Sequence, residues 1–322
     1  MAVDAFNVKE RKMEDILRKI GNIGIVPVVV IEDASKATSL AKALVDGGVP
    51  CAEVTFRTQA AAEAIQKMAK AYPDLILGAG TILTVEQAQR AVDAGAKFLV
   101  SPGYDQILVD WTRAHNVPYV PGVCTASEVQ VAVANGFEVL KFFPAEAAGG
   151  VPMIKNLCGP FPQVKFMTTG GISIDNIQPY ATCANVLAVG GSWMVKSKLI
   201  AAQDWATISA KCHEAIGALH GFAFKGLVQA CNAEQADALH GALASFGLGL
   251  SKEPSSKTDI FIADNSPTNK LLISTYNLDR AASYLEYYGY RCTKCNDVLN
   301  LDYCYDLQPK VGEYGIVLVQ TK

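Results

Sequence analysis

The chain has 322 residues, half of them apolar and 18% charged, with a formal net charge of -3. This composition suits a large buried core, excludes a disordered chain and offers nucleic acid no long-range attraction. The opening "MAVDAFNVKERKMEDILRKI" lacks the continuous apolar centre of a secretory signal, and no later run is long and charge-free enough to span a membrane, so the cytoplasm is expected and neither membrane nor nucleic acid is an expected partner.

From residue 8 to about 218 one pattern recurs: a short apolar run, a Gly/Pro/Ser turn, then an amphipathic stretch. Residues 8–20 read as a leading helix. The predicted strands are "IGIVPVVVI" (23–31), "CAEVTF" (51–56), "LILGAG" (75–80), "FLVSPG" (98–103), "VPYVPGV" (117–123), "EVLKFFP" (138–144), "KFMTTGG" (165–171) and "NVLAVGG" (185–191). Helices over 34–47, 59–72, 85–94 and 124–135 separate several of them, at strand spacings of about 20 to 27 residues that suit βα units. The expected fold class is α/β, a (β/α)8 TIM barrel over residues 1–220 followed by a smaller α+β domain over 221–322. In that second part, "FKGLVQACNAEQADALHGALASFG" and "NKLLISTYNLDRAASYLEYYGY" read as two copies of one unit, the second continuing through the strands "LDYCYDL" and "YGIVLVQ".

Nine cysteines scattered over this length fit reduced thiols. Cys292 and Cys295 in "CTKC" have metal-like spacing, with Cys304 a third candidate, but strand cysteines are the ordinary reading. His213, His220 and His240 fall on predicted helices or a helix end, where surface or core roles are commoner than ligation. No His/Asp/Glu cluster gathers at strand ends, so no metal and no cofactor are expected.

In such a barrel the working groups lie at the C-terminal ends of the strands. Lys141 sits inside the apolar strand "EVLKFFP", with Phe142 and Phe143 beside it. Strand 2 places Glu53, Thr55 and Arg57 on one face by alternation. Barrel layers are filled by alternate strands, so strands 2 and 6 can point at one another and Glu53 can meet Lys141. A buried ion pair without chemistry is the plain alternative. Burial disfavours the ammonium form of a lysine, and a neutral amine adds to a ketone to give an imine that stabilises a neighbouring carbanion. Glu53 is then the proton carrier. Arg57 offers a planar fork for a carboxylate, with the Thr81 hydroxyl beside it. Gly170–Gly171 and Gly190–Gly191–Ser192 follow strands 7 and 8, where barrels often build phosphate sites, although glycine pairs are more often tight turns.

"VTFRT", "GAGT", "SPG", "PGV", "LKFFPAE", "GPFPQVKFMTTGGIS" and "VGGSW", in that order, closely resemble the 2-keto-3-deoxy-6-phosphogluconate and 4-hydroxy-2-oxoglutarate aldolase family over about residues 10–215. The resemblance implies a trimeric class I aldolase that uses no metal and acts on a small keto acid to release pyruvate. It makes Lys141 the Schiff-base residue and Glu53 the general acid/base. Arg57, Thr81 and Pro102, with Phe143, line the pyruvate pocket, and Gly171, Gly191 and Ser192, with Gly170 and Gly190, hold phosphate. Strand 1 departs from the pattern: "PVVVIED" is apolar where some members carry an arginine, which bears on the grip of the distal end of the substrate. A non-covalent sugar-phosphate isomerase or epimerase, and a scaffold acting through its C-terminal module, are the competing readings. The last hundred residues resemble a vicinal-oxygen-chelate, or glyoxalase-like, module through "STYNLDRAASYLEYYGY". "KLLISTY", "KGLVQAC" and "GIVLVQ" carry none of the His and Glu that metal-binding members place on such strands, so an interaction or regulatory role is expected there.

Overall fold

The structure, a computed structural model, describes residues 15–231, 259–264, 269–295, 304–311 and 314–320. Two compact units, Met1–Leu219 and His220–Lys322, divide the chain.

The first unit is a parallel barrel. Its strands are β1 (Ile25–Val29), β2 (Cys51–Thr55), β3 (Ile76–Gly80), β4 (Phe98–Val100), β5 (Tyr119–Val120), β6 (Gly122–Val123), β7 (Val139–Phe142), β8 (Lys165–Thr169) and β9 (Val186–Gly191). They pair in the order β5-β4-β3-β2-β1-β9-β8-β7-β6. The two ends of that order, β5 and β6, are one run of chain broken only at Pro121, whose ring nitrogen has no proton to give the ladder. β5 pairs with β4 and β6 with β7, so the sheet closes on itself through this run and the nine segments make eight staves. The predicted (β/α)8 barrel is therefore present, with each predicted strand overlapping an observed one.

Every residue of β2 and β3 is buried, as expected for strands covered on both faces by their own side chains within and helices without. Helices begin where polar residues cap them just beyond the strand ends. Thr84 accepts from the Gln87 amide, Asp105 from those of Ile107 and Leu108, and Thr125 forms a reciprocal box with Glu128. Each cap turns the chain back down the outside and leaves the C-terminal strand ends facing one rim. Residues 15–23 form the helix expected in front of the barrel, whose predicted residues 8–14 lie outside the described residues.

The second unit holds a six-stranded sheet of β10 (Ala223–Cys231), β11 (Asp259–Asp264), β12 (Lys270–Thr275), β13 (Arg291–Cys295), β14 (Cys304–Val311) and β15 (Tyr314–Gln320), in the order β11-β10-β12-β15-β14-β13. A helix over Leu278–Tyr287, capped by Asn277, packs Leu278 and Ala281 against Leu307 and Leu318. β10 and β12 run antiparallel, and each pairs on its other side with a parallel strand, β11 and β15 respectively. The first strands of the two predicted copies thus meet back to back. The helix predicted for the first copy, with His240, lies outside the described residues.

Cys292 and Cys295 lie on β13, three positions apart and so on opposite faces of the strand. The Cys292 thiol approaches the Ala282 carbonyl on the helix side, whereas the Cys295 and Cys304 sulfurs stand 2.8 Å apart. The three thiols do not converge. His213 and His220 belong to the helix Trp205–His220.

Candidate active site

The register of the barrel decides which side chains share its interior. Glu53 on β2 pairs with Gly78 on β3, and Lys141 on β7 pairs with Gly122 on one side and Met167 on the other. In-register residues of parallel strands point the same way, and alternate residues along a strand share a face. Glu53 and Thr55, Gly78 and Gly80, Lys141, Gly122, Thr169 and Gly190 thereby face inward.

Lys141 Nζ donates to Glu53 Oε1 at 3.1 Å across the barrel, with the lysine side chain 6% exposed and the glutamate side chain fully buried. The predicted meeting of these two residues is what the strands deliver. The carboxylate lies flat over Gly80: a Cβ there would stand 1.9 Å from Oε1 and 2.5 Å from Cγ. Glycine at this position makes room for the acid. Glu53 Oε2 is buried without a hydrogen-bond partner among the described residues, an acceptor left for a ligand or a water.

Phe143 follows Lys141 on the same face, 36% exposed, with its ring centroid 5.5 Å from Nζ. Phe142, on the opposite face, is fully buried and meets Phe166 edge to face outside the barrel lining. Of the two aromatics, Phe143 supplies the apolar wall beside the amine.

The β4 end, "SPG", crosses close over Gly122, the ladder neighbour of Lys141. A Cβ on Gly122 would stand 2.2 Å from the Pro102 carbonyl carbon, so only glycine admits this approach. Thr81 follows β3 at φ 58°, a left-handed conformation that a β-branched residue adopts only under constraint. The Ile82 amide, bonded to the Val100 carbonyl, and the Ser101 hydroxyl, bonded to the Ile82 carbonyl, clamp the turn that imposes it. Arg57 lies beyond the end of β2 in an exposed turn, and its guanidinium makes no hydrogen bond or ion pair among the described residues. Thr55 spends its hydroxyl on the Val29 carbonyl.

The glycine pairs answer to packing as well as to any ligand. Gly170 and Gly171 have φ of 111° and 80°, and side chains on them would strike Pro144 and Glu146. A Cβ on Gly190 would meet the Thr169 hydroxyl at 2.4 Å, and one on Gly191 the Trp193 ring at 1.7 Å. The amides of Gly170, Gly171 and Ser192 nevertheless donate to nothing among the described residues.

Thr169 was not singled out from sequence. Its hydroxyl, on the Lys141 side of the barrel, is buried without a partner among the described residues, and so is Trp193 Nε1, whose ring lies by Gly191. Alternation along β8 was the available signal, since Met167 is in register with Lys141 and Thr169 is two residues on. Among the described residues no group of three or more His, Cys, Asp and Glu could hold a metal ion, and no helix is long and apolar enough to cross a membrane.

A lysine and a glutamate in contact inside a barrel is an arrangement that can form an imine with a keto group and move a proton beside it, the chemistry of one class of carbon–carbon lyase. The aldolase family model described as KDPG and KHG aldolase matches residues 14–211, all within the first unit, and the chain belongs to this family. The 2-dehydro-3-deoxy-phosphogluconate aldolase of Treponema pallidum is 46% identical over 198 residues, 62% of this chain and 94% of that protein. The KHG/KDPG aldolase of Escherichia coli K12 is 42% identical over 192 residues, 60% of this chain and 90% of its own. Among solved structures, the KDPG aldolase of Legionella pneumophila, with pyruvate captured at low pH as a covalent carbinolamine intermediate, is 40% identical with a TM-score of 0.60, covering 61% of this chain and 96% of that one. The Zymomonas mobilis ZM4 enzyme with 3-phosphoglycerate is 39% identical with a TM-score of 0.59, covering 64% of this chain and 95% of that one.

Proposed function

We propose that the first unit is a class I aldolase that cleaves 2-keto-3-deoxy-6-phosphogluconate to pyruvate and glyceraldehyde 3-phosphate, and also 4-hydroxy-2-oxoglutarate to pyruvate and glyoxylate. The observation that carries this reading is the buried contact between Lys141 Nζ and Glu53 Oε1. The names of its relatives and the pyruvate adduct of the Legionella enzyme support it.

Lys141 adds through its amine to the C2 ketone of the substrate, and the carbinolamine loses its hydroxyl as water with a proton delivered by Glu53, which leaves a protonated imine and the Glu53 carboxylate. The C3–C4 bond then breaks as Glu53 takes the proton of the C4 hydroxyl. The bonding electrons pass into the imine to give an enamine, and the aldehyde leaves. Returning the proton to C3 regenerates an imine that water hydrolyses, releasing pyruvate and the free amine. Glu53 Oε2, with no partner among the described residues, is the oxygen available to the substrate hydroxyl and to the water.

Arg57 and Thr81 hold the substrate carboxylate, with Pro102 and Phe143 closing the pocket around the three-carbon end. The free amides of Gly170, Gly171 and Ser192 receive the distal phosphate, with Gly190 and Gly191 setting the turn. Borohydride reduction in the presence of pyruvate tests the mechanism. Intact mass should show one reduced pyruvate adduct on the wild-type chain and none on Lys141→Ala; an adduct on the variant refutes the assignment.

The large apolar side chains on the outside of the barrel, Ile107 at 69% and Leu83 at 55% exposure, suit burial between subunits of a homotrimer, which light scattering would show. The enzyme works in the cytoplasm. Residues 221–322 form an accessory glyoxalase-like domain, a reading supported by the helix-and-four-strand order of β12 to β15 and by the back-to-back first strands.

A further inference from the structure

The loop that follows Lys141 does more than end its strand. The Ala145 amide donates to the Thr169 carbonyl at 2.8 Å and the Glu146 amide to the Gly170 carbonyl at 2.9 Å, so the β7 loop is stitched to the β8 loop by backbone alone. The Glu146 side chain then lies over Gly171, where an added Cβ would stand 2.7 Å from its Cβ and 2.9 Å from its Cγ. Its carboxylate Oε1 accepts a hydrogen bond from the hydroxyl of Tyr180, which is 1% exposed on the helix Ile177–Ala181. Gly150 leaves space for this bond, since a Cβ there would be 3.2 Å from both the carboxylate oxygen and the tyrosine hydroxyl. On the other side of the turn Asn176 ties the loop to itself, accepting from the Ser173 amide at 2.7 Å and donating to the Gly171 carbonyl at 3.1 Å.

Gly171, at φ 80°, has no side chain of its own to fix it. Its position is set by Glu146 from above and Asn176 from behind. A loose carboxylate next to an anion site would repel the anion, and bonding it to a buried tyrosine keeps it turned towards the helix. Burial, and then the carboxylate itself, push the Tyr180 hydroxyl well above its usual range, so it keeps the proton it donates.

Resting on the aldolase reading above, we propose that Glu146 and Tyr180 are positioning residues that set the Gly170–Gly171 turn to receive the distal phosphate of the substrate. Neither touches the reacting carbons.

The test is steady-state kinetics with two substrates, 2-keto-3-deoxy-6-phosphogluconate and the unphosphorylated 4-hydroxy-2-oxoglutarate. Tyr180→Phe and Glu146→Ala should raise KM for the phosphorylated acid by about tenfold, the scale of one lost hydrogen bond with a misplaced anion site, and leave kcat within about twofold. KM for the unphosphorylated acid should not move. Glu146→Gln, which keeps an acceptor oxygen at the same reach, should restore nearly wild-type KM. Glu146 is exposed, so its variants test the idea even if Tyr180→Phe fails to fold. Equal KM losses with both substrates, a loss in kcat alone, or unchanged KM in an active enzyme would overturn the positioning role and leave the aldolase reading intact. Wild-type protein that releases pyruvate from neither substrate would overturn both.

Discussion

Gly80→Ala separates the proposed catalytic pair, Lys141 and Glu53, without altering either member. A Cβ at this position falls 1.9 Å from Glu53 Oε1 and 2.5 Å from both Cδ and Cγ. Ordinary contact needs about 3.5 Å, so the carboxylate must retreat by roughly 1.5 Å, and because Cγ is also struck, rotation of the outer bonds alone does not relieve the clash. The acid has to leave its present rotamer inside a wall where it is fully buried. A misplacement of about 1 Å at a reacting group costs on the order of 100-fold, equivalent to about 2.7 kcal/mol of barrier, and kcat should fall by that much. Overpacking should also cost about 1 to 3 kcal/mol of stability, so the assay belongs well below the melting midpoint. Pyruvate release, followed through a lactate dehydrogenase couple, gives the rate; borohydride trapping with pyruvate should still label Lys141. In a double-mutant cycle with Glu53→Gln, the second substitution should cost little more than the first. A folded Gly80→Ala enzyme with kcat within about threefold of wild type would refute the claim that Glu53, at its observed position, carries the proton.

Phe142→Ala should lose about 3 to 5 kcal/mol in a urea melt, because the ring is fully buried and packs edge-on against Phe166 at 5.9 Å. Burial raises the Tyr119 hydroxyl to about 12, so its contribution is complete below the usual tyrosine range and is lost as pH climbs from about 10 through 12. Thermal midpoints across that window should fall for the wild type and fall less for Tyr119→Phe, which has nothing to ionise. Cys295 and Cys304 are directly opposed on β13 and β14, so a small disulfide oxidant should convert this pair of thiols to a disulfide, seen by mass as a linked peptide that Cys295→Ser lacks. A chain ending at residue 220 should retain aldol cleavage, since the family match closes at residue 211; loss of the rate in a folded fragment would give the second unit a part in the chemistry.

What the sequence made legible was periodic. Alternation and glycine-tipped turns located eight strands, and a lysine inside the apolar run of the sixth pointed to the proposed site. What it hid depends on neighbours across the sheet. That Gly80 carries the Glu53 side chain, and Gly122 the Pro102 carbonyl, follows from a register that no single strand records. The left-handed Thr81 follows from clamps by Val100 and Ser101 at the end of the neighbouring strand. The double glycines were read as an anion cradle. They are also steric necessities, set by Thr169, Trp193, Pro144 and Glu146, contacts that appear only once the strands and loops are side by side.

The cost of the central pair argues for its use. An apolar residue at each of positions 53 and 141 would fill the barrel without stripping water from two ionisable groups, and replacing a buried pair by hydrocarbon is often neutral or stabilising. Here the pair is instead kept with one carboxylate oxygen unpartnered among the described residues, a glycine cleared beneath the acid and a strained threonine at the neighbouring strand end. An oxygen so placed can take the substrate hydroxyl. On that argument Glu53→Leu paired with Lys141→Met should yield an inactive barrel at least as stable as the wild type, measured by urea denaturation. A double variant several kcal/mol less stable would mean that the pair holds the barrel together and that its open oxygen has a structural cause.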